Sequence, residues 1–259
     1  MPEGDTVFLS ATRLDRALGG ERLLETDFRV PRFATSDLSG REVIEVTSLG
    51  KHILIRVEGD MTLHTHFKMG GAWDLYRPGQ RWRGPGWQVR VALVTRPWVA
   101  VGFRLPVVEL LPTAEEESVV GHLGPDPLRG WDEDEAVSRL ASARGISIGE
   151  ALLDQRLIAG LGNVYKSEIC FLRGVHPDTP VEEVDDLRAM VKLSARLLFA
   201  NKTTGRQITT GDARRGRERW VYGRSGEPCR RCGTPIEKTE QPSYGAMRVT
   251  YWCPRCQPP

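Results

Sequence analysis

The sequence predicts an α+β protein with two domains: an N-terminal β-sandwich headed by one helix, and a C-terminal helical domain that ends in a β-hairpin held by cysteines. Three patterns predict it. Apolar residues alternate with polar ones in the first half, they recur at helical spacing in the second half, and two Cys-x-x-Cys pairs close the chain. With 259 residues, 40% of them hydrophobic, the chain can bury more than one core.

The first predicted element is an amphipathic helix whose apolar face is Val7, Ala11, Leu14 and Leu18. Asp5 or Thr6 is expected to cap its start, and Gly19-Gly20 is expected to end it. The apolar period then falls to two, which predicts strands over residues 43–49, 53–57, 61–63, 89–93 and 99–103. Short strands in such a series are typical of a sandwich or a barrel, so residues 1–112 are predicted to form one β domain.

Helical spacing dominates after a linker that is predicted over residues 113–132. The helices are predicted over residues 133–143, 148–157, 163–172 and 181–200. The stretch 202–226 is rich in Gly, Arg and Thr and is predicted as a loop. These elements predict a helical domain over 133–222 and a cysteine-bearing hairpin over 223–259.

The cysteine pairs are Cys229-Arg-Arg-Cys232 and Cys253-Pro-Arg-Cys256, with twenty residues between them. This spacing predicts one structural Zn²⁺, bound by four thiolates at the base of a β-hairpin. Two disulfides are the alternative, which a reducing cytosol disfavours. Cys170 falls in an apolar helical context and is expected to be buried.

The charge of the chain is unevenly placed. Residues 201–259 hold 12 Lys+Arg and 5 Asp+Glu, a net charge of +7, whereas the other residues hold 24 and 29, a net charge of −5. A basic C-terminal region suggests a polyanionic partner, with solvated surface charge as the alternative. The sequence shows neither a long apolar run nor a signal-peptide pattern, so a cytosolic protein without a membrane partner is expected.

The chain opens with Met1-Pro2-Glu3. If Met1 is removed, Pro2 carries a secondary amine, and an α-amino group titrates near ~8. Such an amine can attack an electrophilic carbon to form a Schiff base, and Glu3 beside it can transfer a proton. The alternative is a common Met-Pro start followed by a solvated glutamate.

The stretch 152–165, Leu-Leu-Asp-Gln-Arg-Leu-Ile-Ala-Gly-Leu-Gly-Asn-Val-Tyr, predicts a helix, a glycine turn and a second helix. Gly162 and Asn163 fall at the start of the second helix. Backbone N–H groups and the helix dipole at such a position can hold a phosphate. An ordinary turn between two helices is the alternative.

Taken together, the Pro-Glu-Gly start, the Leu-Asp-Gln…Ala-Gly-Leu-Gly-Asn stretch and the Cys-Pro-x-Cys-Gln end resemble the formamidopyrimidine-DNA glycosylase / endonuclease VIII family. Further matching stretches are Leu-Gly-Lys-His at 49–52, Leu-Gly-Pro-Asp-Pro at 123–127 and Val-Tyr-Gly-Arg at 221–224. The resemblance covers residues 1–257. It implies a bifunctional enzyme of base excision repair, which removes an oxidised base and then cuts the strand as an abasic-site lyase.

The resemblance assigns the catalytic roles. It implies that Pro2 attacks the sugar C1′ and becomes an iminium, which acidifies the C2′ proton and drives β-elimination. Glu3 would be the acid/base beside it, expected to hold a proton in a shielded cleft. Lys51 would contact phosphate and assist proton transfer, and Asn163 would bind the phosphate backbone. Arg248, at the tip of a hairpin whose zinc is structural, would grip phosphates beside the lesion and aid δ-elimination.

The resemblance also implies that the damaged base is flipped out of the DNA and that protein side chains fill the hole. Met69 is expected to be the wedge, with Lys68 as a strand contact; a core methionine is the alternative. His66 is assigned to the DNA backbone, with a strand histidine packed in the domain as the alternative, and His122 is assigned to a DNA contact. Glu168 is grouped with the DNA-contacting residues, and it is expected either to orient the Pro2 amine or to form a surface ion pair.

Two features depart from the family pattern. Asp5 stands where most members have proline, and Phe103-Arg104-Leu105-Pro106 replaces the Arg-x-Phe loop of the formamidopyrimidine branch. The segment 107–111 favours the endonuclease VIII branch, whose members prefer oxidised pyrimidines. The prediction is therefore a monomeric, cytoplasmic glycosylase for oxidised pyrimidines that cuts by β,δ-elimination. An 8-oxoguanine enzyme and a non-catalytic lesion-binding protein are the alternatives.

Overall fold

The structure is a computed structural model that describes residues 2–243 and 246–259. Met1, whose removal the resemblance implies, lies outside the described residues. The chain forms two compact units: Pro2 with Thr6–His122, and Glu3–Asp5 with Leu123–Pro259. The domain boundaries proposed from the sequence stay predictions. Among the described residues, no helix combines the length and the apolarity that a bilayer crossing requires.

Helix α1 (Gly4–Leu18) confirms the amphipathic helix predicted first. The four residues of its predicted apolar face are each at most 1% exposed. The predicted cap is wrong, because the helix already begins at Gly4 and Asp5 lies inside its first turn. Asp5 instead accepts a hydrogen bond from the hydroxyl of Tyr165 at 2.8 Å.

The first unit contains two antiparallel four-stranded sheets, with strand orders β1-β6-β7-β5 and β2-β3-β4-β8. The strands are β1 (Glu25–Phe28), β2 (Val43–Leu49), β3 (His52–Val57), β4 (Met61–His66), β5 (Ala72–Tyr76), β6 (Val89–Val94), β7 (Val99–Phe103) and β8 (Val107–Pro112). The short helix α2 (Glu117–Val120) follows them. Apolar side chains of both sheets share one core with α1, which confirms the predicted sandwich. Strands β1, β5 and β8 were not predicted, because the Glu-Thr-Asp-Phe, Ala-Trp-Asp-Leu-Tyr and Val-Val-Glu-Leu-Leu runs in them do not alternate.

One face of the β2-β3-β4-β8 sheet carries a hydrogen-bonded polar cluster. His52 Nδ1 lies 2.8 Å from His64 Nε2, and His64 Nδ1 lies 2.8 Å from a carboxylate oxygen of Glu109. The ring of His66 stands edge-on to that of His52, with the centroids 4.7 Å apart. Burial, and then the neighbouring imidazoles, lower the pKa of His52 to about 2. Burial, and then the ammonium groups of Lys68 and Lys51, lower the pKa of His66 to about 3.

Among its described residues, the second unit contains four α-helices and a β-hairpin. They are α3 (Glu133–Ser142), α4 (Ile148–Ala151), α5 (Asn163–Arg173), α6 (Leu187–Asn201), β9 (Glu237–Ser243) and β10 (Ala246–Trp252). The helices share an apolar core that includes Tyr165, Ile169 and Leu198. Helix α5 is the most enclosed of them, since every residue from Asn163 to Phe171 is buried. The predicted hairpin is confirmed by the antiparallel pairing of β9 with β10.

Two predicted helix ranges are wrong. The helix predicted over 148–157 stops at Ala151, because the Asp154 carboxylate accepts the backbone N–H of Arg156 at 2.9 Å and forms a turn instead. The helix predicted over 181–200 begins only at Leu187, because Asp186 caps it by accepting the N–H of Ala189 at 2.8 Å. The loop predicted over 202–226 is confirmed, since these residues contain neither helix nor strand.

We expect the histidine cluster to make the protein sensitive to mild acid. The unfolded chain takes up protons as pH falls through about 6.5, whereas His52 and His66 stay neutral in the fold until pH approaches about 2 to 3. Folding stability should therefore fall between pH 7 and pH 5, by at most about 1.4 kcal/mol per pH unit for each histidine. Urea unfolding at pH 7.0 and 5.5 measures the slope. The variant His52→Gln should show a shallower slope than the parent, and an unchanged slope would contradict this account.

Candidate active site and zinc hairpin

The Glu3 side chain is fully buried against the first turn of α5. Its carboxylate accepts the backbone N–H groups of Gly162 and Val164, both at 2.8 Å, and that of Tyr165 at 3.4 Å. These are the N–H groups that a helix start leaves without internal partners. Hydrogen bonds to the charged form and the positive end of the helix dipole both stabilise an ionised carboxylate. The start of α5 is thus an anion site, and it is occupied by the chain's own carboxylate.

This arrangement corrects one expectation. The backbone donors predicted to hold a phosphate at Gly162 and its neighbours are taken by Glu3. The expectation that Glu3 holds a proton stays a prediction. The glycine turn before α5 correctly predicted an anion site, because such a turn exposes backbone N–H groups at a helix start. The turn does not identify the anion, since the carboxylate that binds there lies about 160 positions away in the chain.

Asn163 is 5% exposed, and its amide holds strand β10. Its Nδ2 donates to the carbonyl oxygen of Val249 at 2.6 Å. The remaining amide oxygen is buried and has no hydrogen-bond partner among the described residues. Arg248, the neighbour of Val249, is half-buried on β10 opposite Gln241. Asn163 therefore positions the strand that carries Arg248. Its predicted phosphate contact stays a prediction, and it would require the amide to release Val249.

A second polar contact between α5 and the hairpin was missed by the sequence analysis. Lys166 is fully buried, and its ammonium donates to the hydroxyl of Thr250 and, at 3.4 Å, to the side-chain oxygen of Gln241. Gln241 in turn donates to the Asp178 carboxylate. Burial lowers the pKa of Lys166 to about 8. A lysine in an amphipathic helix normally indicates the solvent face, so no sequence signal marked this residue as an interior contact.

Glu168 has none of the roles expected of it. It is fully buried, and its carboxylate accepts the backbone N–H groups of Trp220, Val221 and Tyr222 at 2.8 to 2.9 Å and the hydroxyl of Thr209. The predictions that it contacts DNA, orients the Pro2 amine or forms a surface ion pair are therefore wrong. The carboxylate instead fixes the loop predicted over 202–226 to α5. Four donors inside one unit consume its accepting capacity.

The first unit carries the other predicted catalytic residues. Pro2 and Lys51 are each partly exposed. Lys51 lies in the two-residue turn between β2 and β3, where Leu49 pairs with His52 and Gly50 adopts a φ of +57°. Because the turn is tight and closes a sheet, the backbone from which the Lys51 side chain extends is fixed. Both roles stay predictions at this point.

The loop between β4 and β5 places Lys68 and Met69 at the surface. Met69 is 65% exposed, so the alternative of a core methionine is wrong. Lys68 adopts a left-handed φ of +47°, and its N–H donates to Nδ1 of His66 at 2.9 Å. His122 is exposed and stands edge-on to His52, with the ring centroids 6.0 Å apart. The DNA contacts assigned to these residues stay predictions.

The four predicted zinc ligands come together at the base of the hairpin. Their sulfur atoms all lie within 4.8 Å of one another. The Cys232–Cys253 sulfurs are 3.4 Å apart and the Cys229–Cys256 sulfurs 4.0 Å apart. A tetrahedral Zn²⁺ with Zn–S bonds of about 2.3 Å requires separations near about 3.8 Å, so the four thiolates fit the ion. None of the cysteines forms a disulfide, and Cys170 is buried elsewhere, as predicted.

A β-sandwich unit, a helical unit with a carboxylate seated on a helix start, and a four-cysteine zinc hairpin define the class of this protein. Known families match the same parts. Residues 1–102 match the "Formamidopyrimidine-DNA glycosylase N-terminal domain", and residues 123–198 match the "Formamidopyrimidine-DNA glycosylase H2TH domain". Residues 226–259 match the "Zinc finger found in FPG and IleRS", which together with the sulfur geometry establishes one structural zinc.

Full-length relatives confirm the assignment. The chain is 52% identical to the "Probable endonuclease 8 2" of Streptomyces coelicolor, over 99% of this chain and 94% of that protein. It is 46% identical to the "DNA-(apurinic or apyrimidinic site) lyase Nei2" of Mycolicibacterium smegmatis, over 99% of both. The fold resembles that of Lactococcus lactis Fpg in complex with DNA containing an abasic site, with a TM-score of 0.82, 23% identity and coverage of 99% and 100%. The chain therefore belongs to the formamidopyrimidine-DNA glycosylase / endonuclease VIII family.

We expect Gly162→Ala to disrupt the packing of the Glu3 side chain against the start of α5. A Cβ at this position would lie 2.5 Å from Cδ of Glu3 and 2.7 Å from its Cγ, which is far inside van der Waals contact. Overpacking of a buried site costs about 1–3 kcal/mol of folding free energy. Gly70→Ala is the control, since nothing lies within 4 Å of a Cβ there. Urea unfolding should separate the two variants, and equal stability of both would contradict the tight seat.

We expect a chelator to release one zinc per chain and to expose the hairpin region to proteolysis, because a unit this small depends on its metal. A colorimetric zinc assay and mass mapping of the cleavage sites measure both effects. Cys253→Ser should bind less zinc, whereas Cys170→Ala should retain it. Full zinc content in the Cys253 variant would show that this thiolate is not a ligand.

Proposed function

We propose that this protein is a bifunctional DNA glycosylase and abasic-site lyase of base excision repair that removes oxidised pyrimidines. The names of its relatives, endonuclease 8 and DNA-(apurinic or apyrimidinic site) lyase, support both activities. The observation that carries the proposal is the seat of Glu3 on α5. It fixes a carboxylate one residue away from Pro2, the amine that performs the chemistry.

The reaction begins at Pro2. After removal of Met1, the uncharged proline nitrogen attacks C1′ of the damaged nucleoside. The C1′–N bond to the base breaks, its electron pair leaves with the base, and the base takes up a proton from the solvent. The proline nitrogen is now bonded to C1′ and still carries a proton.

Glu3 then moves this proton. As a carboxylate, it accepts the proton from the proline nitrogen. The nitrogen lone pair forms the C1′=N⁺ iminium, the C1′–O4′ bond breaks toward oxygen, and Glu3 returns the proton to O4′. Glu3 starts and ends ionised, which agrees with its three backbone hydrogen bonds. This cycle differs from the expectation that Glu3 holds a proton before the reaction begins.

Strand cleavage follows from the iminium. It acidifies the C2′ proton, and removal of that proton expels the 3′ phosphate in β-elimination. A second elimination expels the 5′ phosphate. We assign Lys51 and Arg248 to the phosphates, where fixed positive charges stabilise the leaving groups. Asn163 and Lys166 hold the strand that carries Arg248.

The lesion class rests on the endonuclease 8 relatives and on the short Arg104–Leu105–Pro106 turn between β7 and β8. Damaged DNA is the partner in this scheme, and the exposed Met69 is suited to fill the hole left by a flipped base. Thiols stay reduced in the cytosol, which suits a four-thiolate zinc site, so we infer a cytoplasmic enzyme. We also propose that it acts on DNA as a monomer.

We expect borohydride to trap the protein covalently on DNA that contains 5-hydroxyuracil or an abasic site. Peptide mapping of the adduct should locate the sugar on the nitrogen of Pro2. The matched control is the same chain with an uncleaved N-terminal extension, in which this nitrogen is an amide and cannot react. An adduct on another residue, or equal trapping of the extended chain, would contradict the mechanism.

The lesion preference is tested separately by single-turnover cleavage of duplexes that differ only in the damaged base. We expect faster release of 5-hydroxyuracil than of 8-oxoguanine. The reverse order would support the formamidopyrimidine-type alternative. Tight binding to both lesions without any strand cleavage would support a non-catalytic lesion-binding protein.

A further inference from the structure

Two large apolar side chains are exposed on neighbouring loops of the first unit. Met69, 65% exposed, lies between β4 and β5, and Trp87, 74% exposed, lies between β5 and β6. Ala72 of β5 and Val89 of β6 both pair with Phe103 of β7. The two loops therefore leave the sheet at the same end.

Arg104 joins these loops. Its Nε donates to the carbonyl oxygen of Gly70 at 3.0 Å, and its Nη1 donates to Oε1 of Gln88 at 2.6 Å. Its own backbone N–H donates to the carbonyl oxygen of Gln88 at 2.7 Å. Arg104 adopts a left-handed φ of +48°, which is costly for a residue with a side chain. Since Gly70 adjoins Met69 and Gln88 adjoins Trp87, this bridge sets the spacing of the two exposed side chains.

The backbone around Trp87 is held in place although its side chain is exposed. Arg90 donates to the carbonyl oxygen of Trp87 at 2.9 Å, and Arg29 donates to that of Gly86 at 3.1 Å. The N–H of Gln88 donates to the carbonyl oxygen of Pro85 at 3.0 Å. An indole on a fixed backbone loses little conformational entropy when a partner binds it.

The surrounding charge indicates what that partner is. Residues 75–108 contain six arginines and no Asp, Glu or Lys. Arg81, Arg83 and Arg104 are exposed on the segments near Trp87. A fixed aromatic surface among positive charges matches a polyanion that carries planar bases, which is the usual pattern of nucleic-acid stacking sites.

We propose that Trp87 stacks on the base left unpaired opposite the lesion, while Met69 fills the space of the flipped base. This inference rests on the proposed function, because a flipped base leaves one vacant position in its own strand and one unpaired base in the other. Two exposed side chains at a spacing fixed by Arg104 serve the two positions. Stacking does not depend on hydrogen-bond pattern, so Trp87 allows the enzyme to accept different opposite bases.

The test uses the zinc-loaded, full-length protein and a duplex that holds a non-cleavable tetrahydrofuran abasic analogue opposite 2-aminopurine. The wild type should quench the emission of the unpaired 2-aminopurine. Trp87→Ala should restore that emission and bind the duplex about tenfold more weakly. Trp87→Phe should retain part of both effects, since a smaller ring still stacks. Arg104→Lys keeps the charge but loses the two-sided bridge, so it should quench less with an unchanged salt dependence.

Leu24→Ala is the matched control. Leu24 is 60% exposed and hydrogen-bonds to Val94, at the opposite end of the same sheet, so its loss should change neither emission nor affinity. Equal emission and equal affinity of Trp87→Ala and the wild type would overturn the proposal. An affinity loss of the same size on undamaged duplex would also overturn it, because it would indicate general DNA binding.

A borohydride trap on single-stranded abasic DNA separates this inference from the proposed function. Such a substrate has no opposite base, so Trp87→Ala should be trapped as well as the wild type. If the wild type itself is not trapped, the proposed chemistry fails, whatever the fluorescence shows. If the wild type is trapped and Trp87→Ala is not, the residue serves the reaction generally, and the assignment to the opposite base is wrong.

Discussion

The arrangement of the candidate active site depends on how the segment Glu3–Asp5 is held. Glu3 is bound by the first N–H groups of α5. The N–H of Gly4 donates to the carbonyl oxygen of Gly160 at 2.8 Å, and Asp5 accepts the hydroxyl of Tyr165. A Cβ on Gly4 would lie 2.9 Å from the Cα of Gly160, so only glycine permits this approach. Consecutive Cα atoms are about 3.8 Å apart, and Pro2 therefore starts from a fixed point.

Helix α5 takes part in two bonds between a carboxylate and backbone N–H groups. The N–H groups at its start donate to the carboxylate of Glu3. About one turn later, its own Glu168 accepts three backbone N–H groups of the 202–226 loop. Between these two, Asn163 and Lys166 reach strand β10. Each of these polar groups is buried, so losing one partner leaves an unpaired polar group inside the protein. The helix thus positions the N-terminal segment, the loop and the Arg248 strand by contacts that are costly to break.

The fold could be predicted from the sequence more completely than the candidate site, and particular residues show why. Periodicity identified α1, the strands with alternating residues and α5. An element that buries one face shows this as a regular spacing of apolar residues within its own segment. Spacing identified the four cysteines, because one ion must be reached by all of them. Glu168 was misjudged and Lys166 was missed, because a charged residue in a helix indicates solvent unless its distant partners are known. Asp154 and Asp186 changed helix ends through single side-chain hydrogen bonds that periodicity does not register.

The two units differ in how their functional side chains are held. In the second unit, buried polar groups are hydrogen-bonded, which fixes the position of Glu3 and of the strand that carries Arg248. In the first unit, Met69 and Trp87 are exposed, and Lys68 and Arg104 adopt left-handed conformations. Exposed apolar surface and backbone strain both lower stability, and the shared core of the sandwich must offset them. Such a distribution is expected of an enzyme that must hold its reacting groups still while it inserts side chains into a deformable partner. In the proposed mechanism, the buried contacts hold the reacting groups in place, and the loops that carry Met69 and Trp87 supply the surface that replaces the flipped base.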